Sequence, residues 1–295
     1  GIFMKNSSKK VIVLVSLLAV IIIAIVLSVC FITKSGTPTA EELIKFNKID
    51  NVLKKQETVY IEMSNVAGNK DMAYIEYNDG SANICTTGSN AKVSWKSYLY
   101  DGCDFIAFSD DDIYSLCGGM KNTLSACDVF ASKMLIIEHS KAEQKGLEKE
   151  KDGYVLTYEE IIEENNKKDI IKYIFYFDSE FYCTSIEELK SGVRTMTKFE
   201  YGVKKDYFDC LKGIDTSKKV EVSITDINSP DYKAKTYSVP YGTKILTQAY
   251  SEAKLYLDSG CTEVYETESY GSLFIKAKKP VNENLELYLL VESDN

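Results

Sequence analysis

The stretch Ile170–Val203, IIKYIFYFDSEFYCTSIEELKSGVRTMTKFEYGV, decides the fold class. It contains three segments rich in aromatic and β-branched residues, at Ile170–Asp178, Phe181–Leu189 and Val193–Val203. Such residues favour strands, and the links between the segments are only two and three residues long. Links that short join antiparallel neighbours, so this stretch predicts three strands of an antiparallel meander.

Similar patterns continue on the N-terminal side of this stretch. Apolar and polar residues alternate, and Asp79-Gly80 and Asp101-Gly102 are typical of tight hairpin turns. Strands are predicted at 59–64, 72–77, 82–86, 92–100, 103–108, 113–116 and 154–158.

Two helices are predicted to accompany these strands. Thr39 followed by Glu42 is a capping-box pattern, and apolar residues at helical spacing then predict a helix over 40–55. A second helix is predicted over 122–138, with Phe130 and Met134 on its apolar face. A curved antiparallel sheet with two helices on one face is the packing that this order favours.

The element order and two local segments resemble the LolA/LprG-like envelope carriers over residues 39–212. The segments are Ser97–Gly102 (SYLYDG), followed by a short strand at Tyr114, and Phe177-Asp178, followed by a returning strand. The resemblance implies a half-open barrel whose mouth is closed by helices, with an apolar cavity that accepts acyl chains or another apolar ligand.

A second domain is predicted at 219–295, after a segment at 204–218 that lacks periodicity. Strands are predicted at 220–225, 236–239, 262–266, 272–277 and 285–291. A helix is predicted over 246–258, ending before Gly260.

Residues 220–291 resemble one Listeria–Bacteroides (internalin B-type) repeat. The resemblance rests on Val239–Thr243 (VPYGT), on Lys279–Tyr288 (KPVNENLELY) and on the central Gly260–Tyr265 (GCTEVY). It implies a β-grasp-like domain, although the central Trp of the family is missing and the repeat occurs once.

Val11–Ile32 (VIVLVSLLAVIIIAIVLSVCFI) contains 22 residues and no charge. As a helix it would extend roughly 33 Å, enough for the hydrocarbon core of a bilayer. We therefore expect a transmembrane helix at 11–32 that acts as an uncleaved anchor. Lipidation at Cys30 and cleavage of the segment remain as alternatives.

Lysines before this segment outnumber those that closely follow it, which predicts a cytoplasmic N-terminus. The expected organisation is a cytoplasmic segment at 1–10, the membrane helix, a linker at 33–38 and two extracytoplasmic domains. Residues 35–295 would then lie outside the cell membrane.

The charge distribution argues against nucleic acid as a partner. Residues 1–34 contain four of the 35 basic residues and none of the 44 acidic ones, so the rest of the chain is strongly acidic. Phosphate contacts need a basic face.

No constellation typical of catalysis or metal binding appears. The chain has one His and eight Cys but no C-x-x-C, P-loop, G-x-S-x-G or H-E-x-x-H pattern. We therefore expect a protein that is not an enzyme and that has no cofactor and no metal. Cys117 and Cys127 form the pair most worth testing for a disulfide.

Aromatic residues on the long strands are candidates to line a cavity, although sheet packing alone also explains them. The candidate lining residues are Trp95, Tyr98, Phe105, Phe130, Met134, Tyr173 and Phe175. The fold class expected is α+β: a transmembrane helix, a half-barrel sheet covered by two helices, and a small β-grasp-like domain. The function expected is binding of a lipid or other apolar ligand at the cell envelope. The alternative is a cell-surface protein that binds a protein or glycan partner through its C-terminal domain.

Overall fold

The computed structural model describes residues 37–64, 70–78, 80–89, 92–108, 112–118, 142–164, 167–229, 231–249, 253–271 and 273–291. By its contacts the chain divides into residues 1–42 and residues 43–295. In the described part of the first unit, Thr39 N donates to Glu42 Oε2 at 2.8 Å and Glu42 N donates to Thr39 Oγ1 at 3.2 Å. These reciprocal bonds confirm the predicted capping box.

The described residues contain two α-helices, α1 (Ala40–Phe46) and α2 (Ile49–Gln56). The sequence predicts one helix over 40–55, but Lys48 adopts an extended conformation between α1 and α2. Val52 and Leu53 of α2 are buried, and this helix contacts the first two strands of the main sheet.

Asn47 lies at the break between the helices and is fully buried. Its Nδ2 donates to Leu43 O at 2.8 Å and to Phe181 O at 2.7 Å, and its Oδ1 accepts from Cys183 N at 2.8 Å. The Asn47 side-chain amide therefore links the helices to residues 181 and 183, far away in the sequence, through both its nitrogen and its oxygen.

The described residues form eighteen strands. The first eleven are β1 (Thr58–Ser64), β2 (Lys70–Asn78), β3 (Ser81–Ser89), β4 (Ser94–Tyr100), β5 (Cys103–Phe108), β6 (Ile113–Leu116), β7 (Glu143–Glu150), β8 (Gly153–Glu164), β9 (Lys167–Asp178), β10 (Cys183–Lys190) and β11 (Val193–Tyr201). The others are β12 (Lys219–Asp226), β13 (Ala234–Pro240), β14 (Thr243–Gln248), β15 (Ala253–Tyr256), β16 (Thr267–Tyr270), β17 (Phe274–Val281) and β18 (Leu285–Val291).

Fourteen of the strands in the described parts form one sheet, in the order β16-β17-β14-β6-β5-β4-β3-β2-β1-β11-β10-β9-β8-β7. Two antiparallel meanders, β1–β6 and β7–β11, meet where β1 pairs with β11. The meander predicted from residues 170–203 is confirmed by β9, β10 and β11.

The main sheet continues into the C-terminal part of the chain through a parallel seam. Residues 114–116 of β6 pair with residues 244–246 of β14. Beside the seam, Ser115 Oγ and Thr243 Oγ1 lie 2.7 Å apart, and the Thr243 hydroxyl donates to Pro240 O at 2.7 Å. Strands from both sides of the boundary predicted at 204–218 therefore belong to one sheet.

A smaller sheet of four described strands has the order β13-β12-β18-β15. Its buried residues Val222, Leu255 and Leu287 pack in one cluster with Ile245 and Ile275 from β14 and β17. The two sheets thus share a hydrophobic core.

The predicted α+β class is wrong. The described residues are dominated by strands, and their two helices contain seven and eight residues. The helix predicted over 122–138 lies outside the described residues. The helix predicted over 246–258 is replaced by β14 and β15, so the described residues of the predicted β-grasp-like domain contain no helix.

Local sequence explains the error at 246–258. Leu246, Ala253 and Leu257 have helical spacing, but the β-branched Thr243, Ile245 and Thr247 favour a strand. Short apolar runs fit the helical and the strand period equally well. The pairing of β14 with β6 and β17 decides for the strand at 243–248.

The membrane topology predicted from the sequence is also corrected. Within the part of the chain that the structure describes, each helix is too short and too polar to cross a bilayer. No helix of the described residues therefore corresponds to the predicted single-pass anchor with a cytoplasmic N-terminus. The segment on which the prediction rests, at 11–32, lies outside the described residues.

Candidate functional site

A cavity of about 710 Å³ lies between the main sheet and the segment 206–210. Its sheet wall includes Thr87, Lys96, Ala107 and Ile113, which follow one another across β3, β4, β5 and β6 in register. Side chains on such a cross-strand row point to the same face of the sheet. The row therefore makes a continuous floor for the cavity.

The opposite wall is held in place by buried residues of the segment that follows β11. Phe208 and Leu211 are buried, and residues 209–211 form a short 3-10 helix. The Phe208 ring lies 5.9 Å from the Tyr74 ring and 5.7 Å from the Tyr100 ring, measured between centroids. Aromatic packing at these distances fixes the segment over the sheet.

A second set of contacts fixes the start of the same segment. Lys205 N donates to the Tyr74 hydroxyl at 3.0 Å, and Lys205 Nζ lies 3.8 Å from the centroid of the Tyr60 ring. The Tyr207 ring is stacked parallel to Tyr60 at 6.4 Å. Burial raises the pKa of Tyr74 to about 12, so its hydroxyl stays neutral at physiological pH.

Tyr98 lines the cavity and lies between two thiols. Cys210 Sγ donates to the Tyr98 hydroxyl at 3.7 Å, and Cys85 is paired directly with Tyr98 across β3 and β4. Burial raises the pKa of Cys85 to about 12, and burial also raises the pKa of Tyr98. A buried thiol that stays protonated is a weak nucleophile.

Trp95 also borders the cavity, but its side chain points to the opposite face of the sheet from its neighbour Lys96. Its indole packs edge-on against Phe274 at 5.3 Å, and it leaves no room for a side chain at Gly88. A Cβ added at Gly88 would lie 2.5 Å from Trp95 Nε1. Within the described parts of the chain, Trp95 Nε1 and Ser97 Oγ are buried without a hydrogen-bond partner.

Five charged residues also line the cavity: Lys70, Asp71, Lys96, Asp206 and Asp209. Lys70 Nζ pairs with Glu62 at 3.0 Å, and Asp209 pairs with Lys212 at 2.6 Å. The site thus combines an apolar and aromatic wall with charged groups, a composition that suits an amphiphilic molecule.

A second cavity of about 440 Å³ lies on β7, β8 and β9. It is lined by the exposed Ile161 and Ile170 together with acidic and basic side chains, of which Lys145 pairs with Glu143 at 2.9 Å. None of the described candidates among the predicted lining residues lies in it.

The structure brings two of the predicted lining residues, Trp95 and Tyr98, to the larger cavity. Phe105 is fully buried beside Tyr98 in one cluster and does not line the cavity. Tyr173 and Phe175 are buried on β9, away from both cavities. Phe130 and Met134 lie outside the described residues.

The predicted disulfide pair also falls partly outside the described residues. Cys117 is buried in the core shared by the two sheets, whereas Cys127 is not described. Their pairing stays a prediction. The described residues contain no group of three or more His, Cys, Asp or Glu side chains placed to hold a metal ion.

Sequence reasoning missed the wall made by Asp206, Tyr207 and Cys210. The segment 204–218 has no helical or strand period, and such a segment is typical of a domain boundary. The signal that could have revealed it is the apolar content of Tyr207, Phe208 and Leu211, since a plain surface linker has little reason to carry large apolar side chains.

No protein-family model matches the chain, and no curated protein matches it. Among solved structures the chain is similar to the Mycobacterium tuberculosis lipoprotein LppX, with 9% sequence identity and a TM-score of 0.32. The match covers 57% of this chain and 98% of that chain. The internalin B-type repeat predicted at 220–291 is not shown by these comparisons.

Proposed function

We propose that this protein is a non-catalytic binding protein that holds an apolar or amphiphilic molecule, such as a lipid, in the cavity between β3–β6 and residues 206–210. The observation that carries the proposal is the cavity itself. At about 710 Å³ it lies within the size range of small-molecule sites in proteins.

The composition of the wall supports an apolar ligand. Apolar and aromatic side chains from the sheet, including Tyr98, Ala107 and Ile113, face the Tyr207 side of the cavity. Transfer of a hydrocarbon chain from water to such a wall is favourable by about 0.8 kcal/mol for each buried methylene. A chain of several methylenes therefore gains enough free energy to bind without covalent chemistry.

The chemistry of the wall supports a binding role rather than catalysis. Cys85, which is paired with the lining residue Tyr98 but does not itself line the cavity, has a pKa raised to about 12 by burial. The pKa of Tyr98 is raised by burial as well, so neither group is poised to exchange a proton near neutral pH.

Calorimetric titration with decyl maltoside, an uncharged ten-carbon amphiphile, tests the proposal. Ala107→Phe puts a ring into the floor of the cavity and should weaken binding at least about fivefold, because each displaced methylene contact is worth roughly 0.8 kcal/mol. Ala234→Phe on the exposed β13 is the matched control and should leave binding unchanged.

Mass spectrometry of the purified protein after organic extraction provides an independent measurement. We expect an apolar molecule to be released from the wild-type protein and less of it from Ala107→Phe. Failure of the wild-type protein to bind decyl maltoside or any other ten-carbon amphiphile, or equal weakening by Ala107→Phe and Ala234→Phe, would refute the proposed function. Binding of a protein or glycan partner by the C-terminal strands stays a prediction.

A further inference from the structure

The larger cavity contains charges of both signs that have no ionic partner within the described residues. Lys70 and Asp209 are each neutralised by a neighbour, Glu62 and Lys212. Lys96, Asp71 and Asp206 line the same cavity without an ion pair in the part of the chain that the structure describes. The cavity wall therefore offers one uncompensated cation and two uncompensated carboxylates to whatever binds in it.

The Tyr207 ring lies at this charged part of the cavity. Lys96 Nζ is 5.8 Å from the centroid of Tyr207, and Tyr207 belongs to the same short segment as Asp206. The face of an aromatic ring attracts cations. The Tyr207 ring therefore already faces Lys96, and Asp206 and Asp71 are the groups that favour a positive group on the ligand, beside a lysine that favours a negative one.

Lys96 and Asp206 are exposed and stay partly hydrated, so the contact between charges of like sign, rather than burial, is what opposes an unsuitable head group. A purely anionic head group would satisfy Lys96 but would meet Asp71 and Asp206 with the same sign of charge. A purely cationic head group would satisfy the carboxylates and repel Lys96. A head group with both signs is the one that leaves no like-charge contact.

We propose that the ligand is a zwitterionic amphiphile, with its anionic group at Lys96 and its cationic group at Asp71 and Asp206 beside Tyr207. This inference rests on the proposed function, because it assigns the polar end of a molecule whose apolar end occupies the cavity. A phosphocholine- or phosphoethanolamine-type head group has the required charges.

Four amphiphiles with the same ten-carbon chain separate the head group from the chain: decylphosphocholine (zwitterionic), decanoate (anionic), decyltrimethylammonium (cationic) and decyl maltoside (uncharged). Each is titrated calorimetrically below its micelle concentration and at low ionic strength. We expect decylphosphocholine to bind about fivefold to tenfold more tightly than the other three, the range expected for two partly exposed charge pairs.

Two substitutions should change the preference in opposite directions. Lys96→Met should weaken decylphosphocholine binding about fivefold and strengthen decyltrimethylammonium binding, because it removes the only uncompensated cation that the described cavity wall presents. Asp206→Asn should strengthen decanoate binding. Lys198→Met, on the exposed surface of β11 and outside the cavity, is the matched control and should preserve the order of the four ligands.

The outcomes distinguish this inference from the proposed function. Equal affinity for all four amphiphiles, or tighter binding of decanoate or decyltrimethylammonium than of decylphosphocholine, would overturn the zwitterionic head group and leave apolar binding intact. Absence of binding by all four would overturn both. Urea unfolding of each variant confirms that the cavity wall is folded before the titration.

Discussion

Replacement of Asn47 by Ala should destabilise the protein more than any other single change at the helices. The side chain makes three hydrogen bonds of 2.7–2.8 Å and is fully buried. Each bond contributes about 1 kcal/mol net, and a buried group left without a partner adds roughly 1–3 kcal/mol. The free energy of unfolding should therefore fall by about 3–5 kcal/mol.

Urea unfolding followed by circular dichroism measures this loss. With a denaturant slope of roughly 3 kcal/mol/M for a chain of this size, the midpoint should fall by about 1–1.7 M. Asn51→Ala is the matched control, because its Nδ2 makes one bond, to Lys45 O at 3.0 Å, on an exposed surface. Its midpoint should change by less than about 0.3 M, corresponding to the small effect of surface substitutions.

Asn47→Asp tests the direction of these bonds. A carboxylate keeps the acceptor for Cys183 N but places negative charge against Leu43 O and Phe181 O. We expect this variant to be at least as unstable as Asn47→Ala at pH 7. Wild-type stability of the Asn47→Asp variant, or equal losses for Asn47→Ala and Asn51→Ala, would refute the assignment of Asn47 as a buried connector.

Two further predictions concern the packing of Trp95 and the carboxylate of Asp112, next to the pairing of β6 with β14. Gly88→Ala should displace the indole of Trp95, lower the free energy of unfolding by about 1–3 kcal/mol and shift the fluorescence of this single tryptophan to longer wavelength. Gly213→Ala is the control, because Gly213 has open space at its Cβ position, and it should change neither quantity. An unchanged emission spectrum for Gly88→Ala would contradict the packing of Trp95 against Gly88. The hydrogen bond from the Tyr114 hydroxyl lowers the pKa of Asp112 below 3.8, so the stability that this carboxylate contributes should be present at neutral pH and be lost as the pH falls below 3.8. The free energies of unfolding of the wild type and Asp112→Asn, measured in urea, should therefore differ at pH 7 and become equal in acid. The difference at pH 7 should be less than about 1 kcal/mol, because Asp112 is half exposed. A difference that grows in acid would contradict the lowered pKa of Asp112.

The parts of the fold that could be predicted are those in which residue type and the pairing of neighbouring strands agree. The strands at 170–178 and 193–203 combine aromatic and β-branched residues with tight links, and their pairing is local, so sequence alone located them. Residues 246–258 have apolar spacing that fits a helix, and only the non-local pairing of β14 with β6 and β17 decides for strands.

The candidate site was predictable only in part for the same reason. Trp95 and Tyr98 were candidates because they are aromatic residues on a long strand, and both border the cavity. The other wall, with Asp206 and Tyr207, has no period of its own. Its position follows from the burial of Phe208 against distant aromatic residues, which no local pattern encodes.

The seam between β6 and β14 has a consequence for synthesis on the ribosome. The partners Tyr114 and Lys244 are separated by 130 positions in the chain, so the backbone groups along the outer edge of β6 wait for their partners until more than a hundred further residues have emerged. An open strand edge is a template for pairing with another polypeptide. A nascent protein should therefore be most vulnerable to aggregation, and most dependent on chaperones, in the interval before Thr243–Gln248 leaves the exit tunnel.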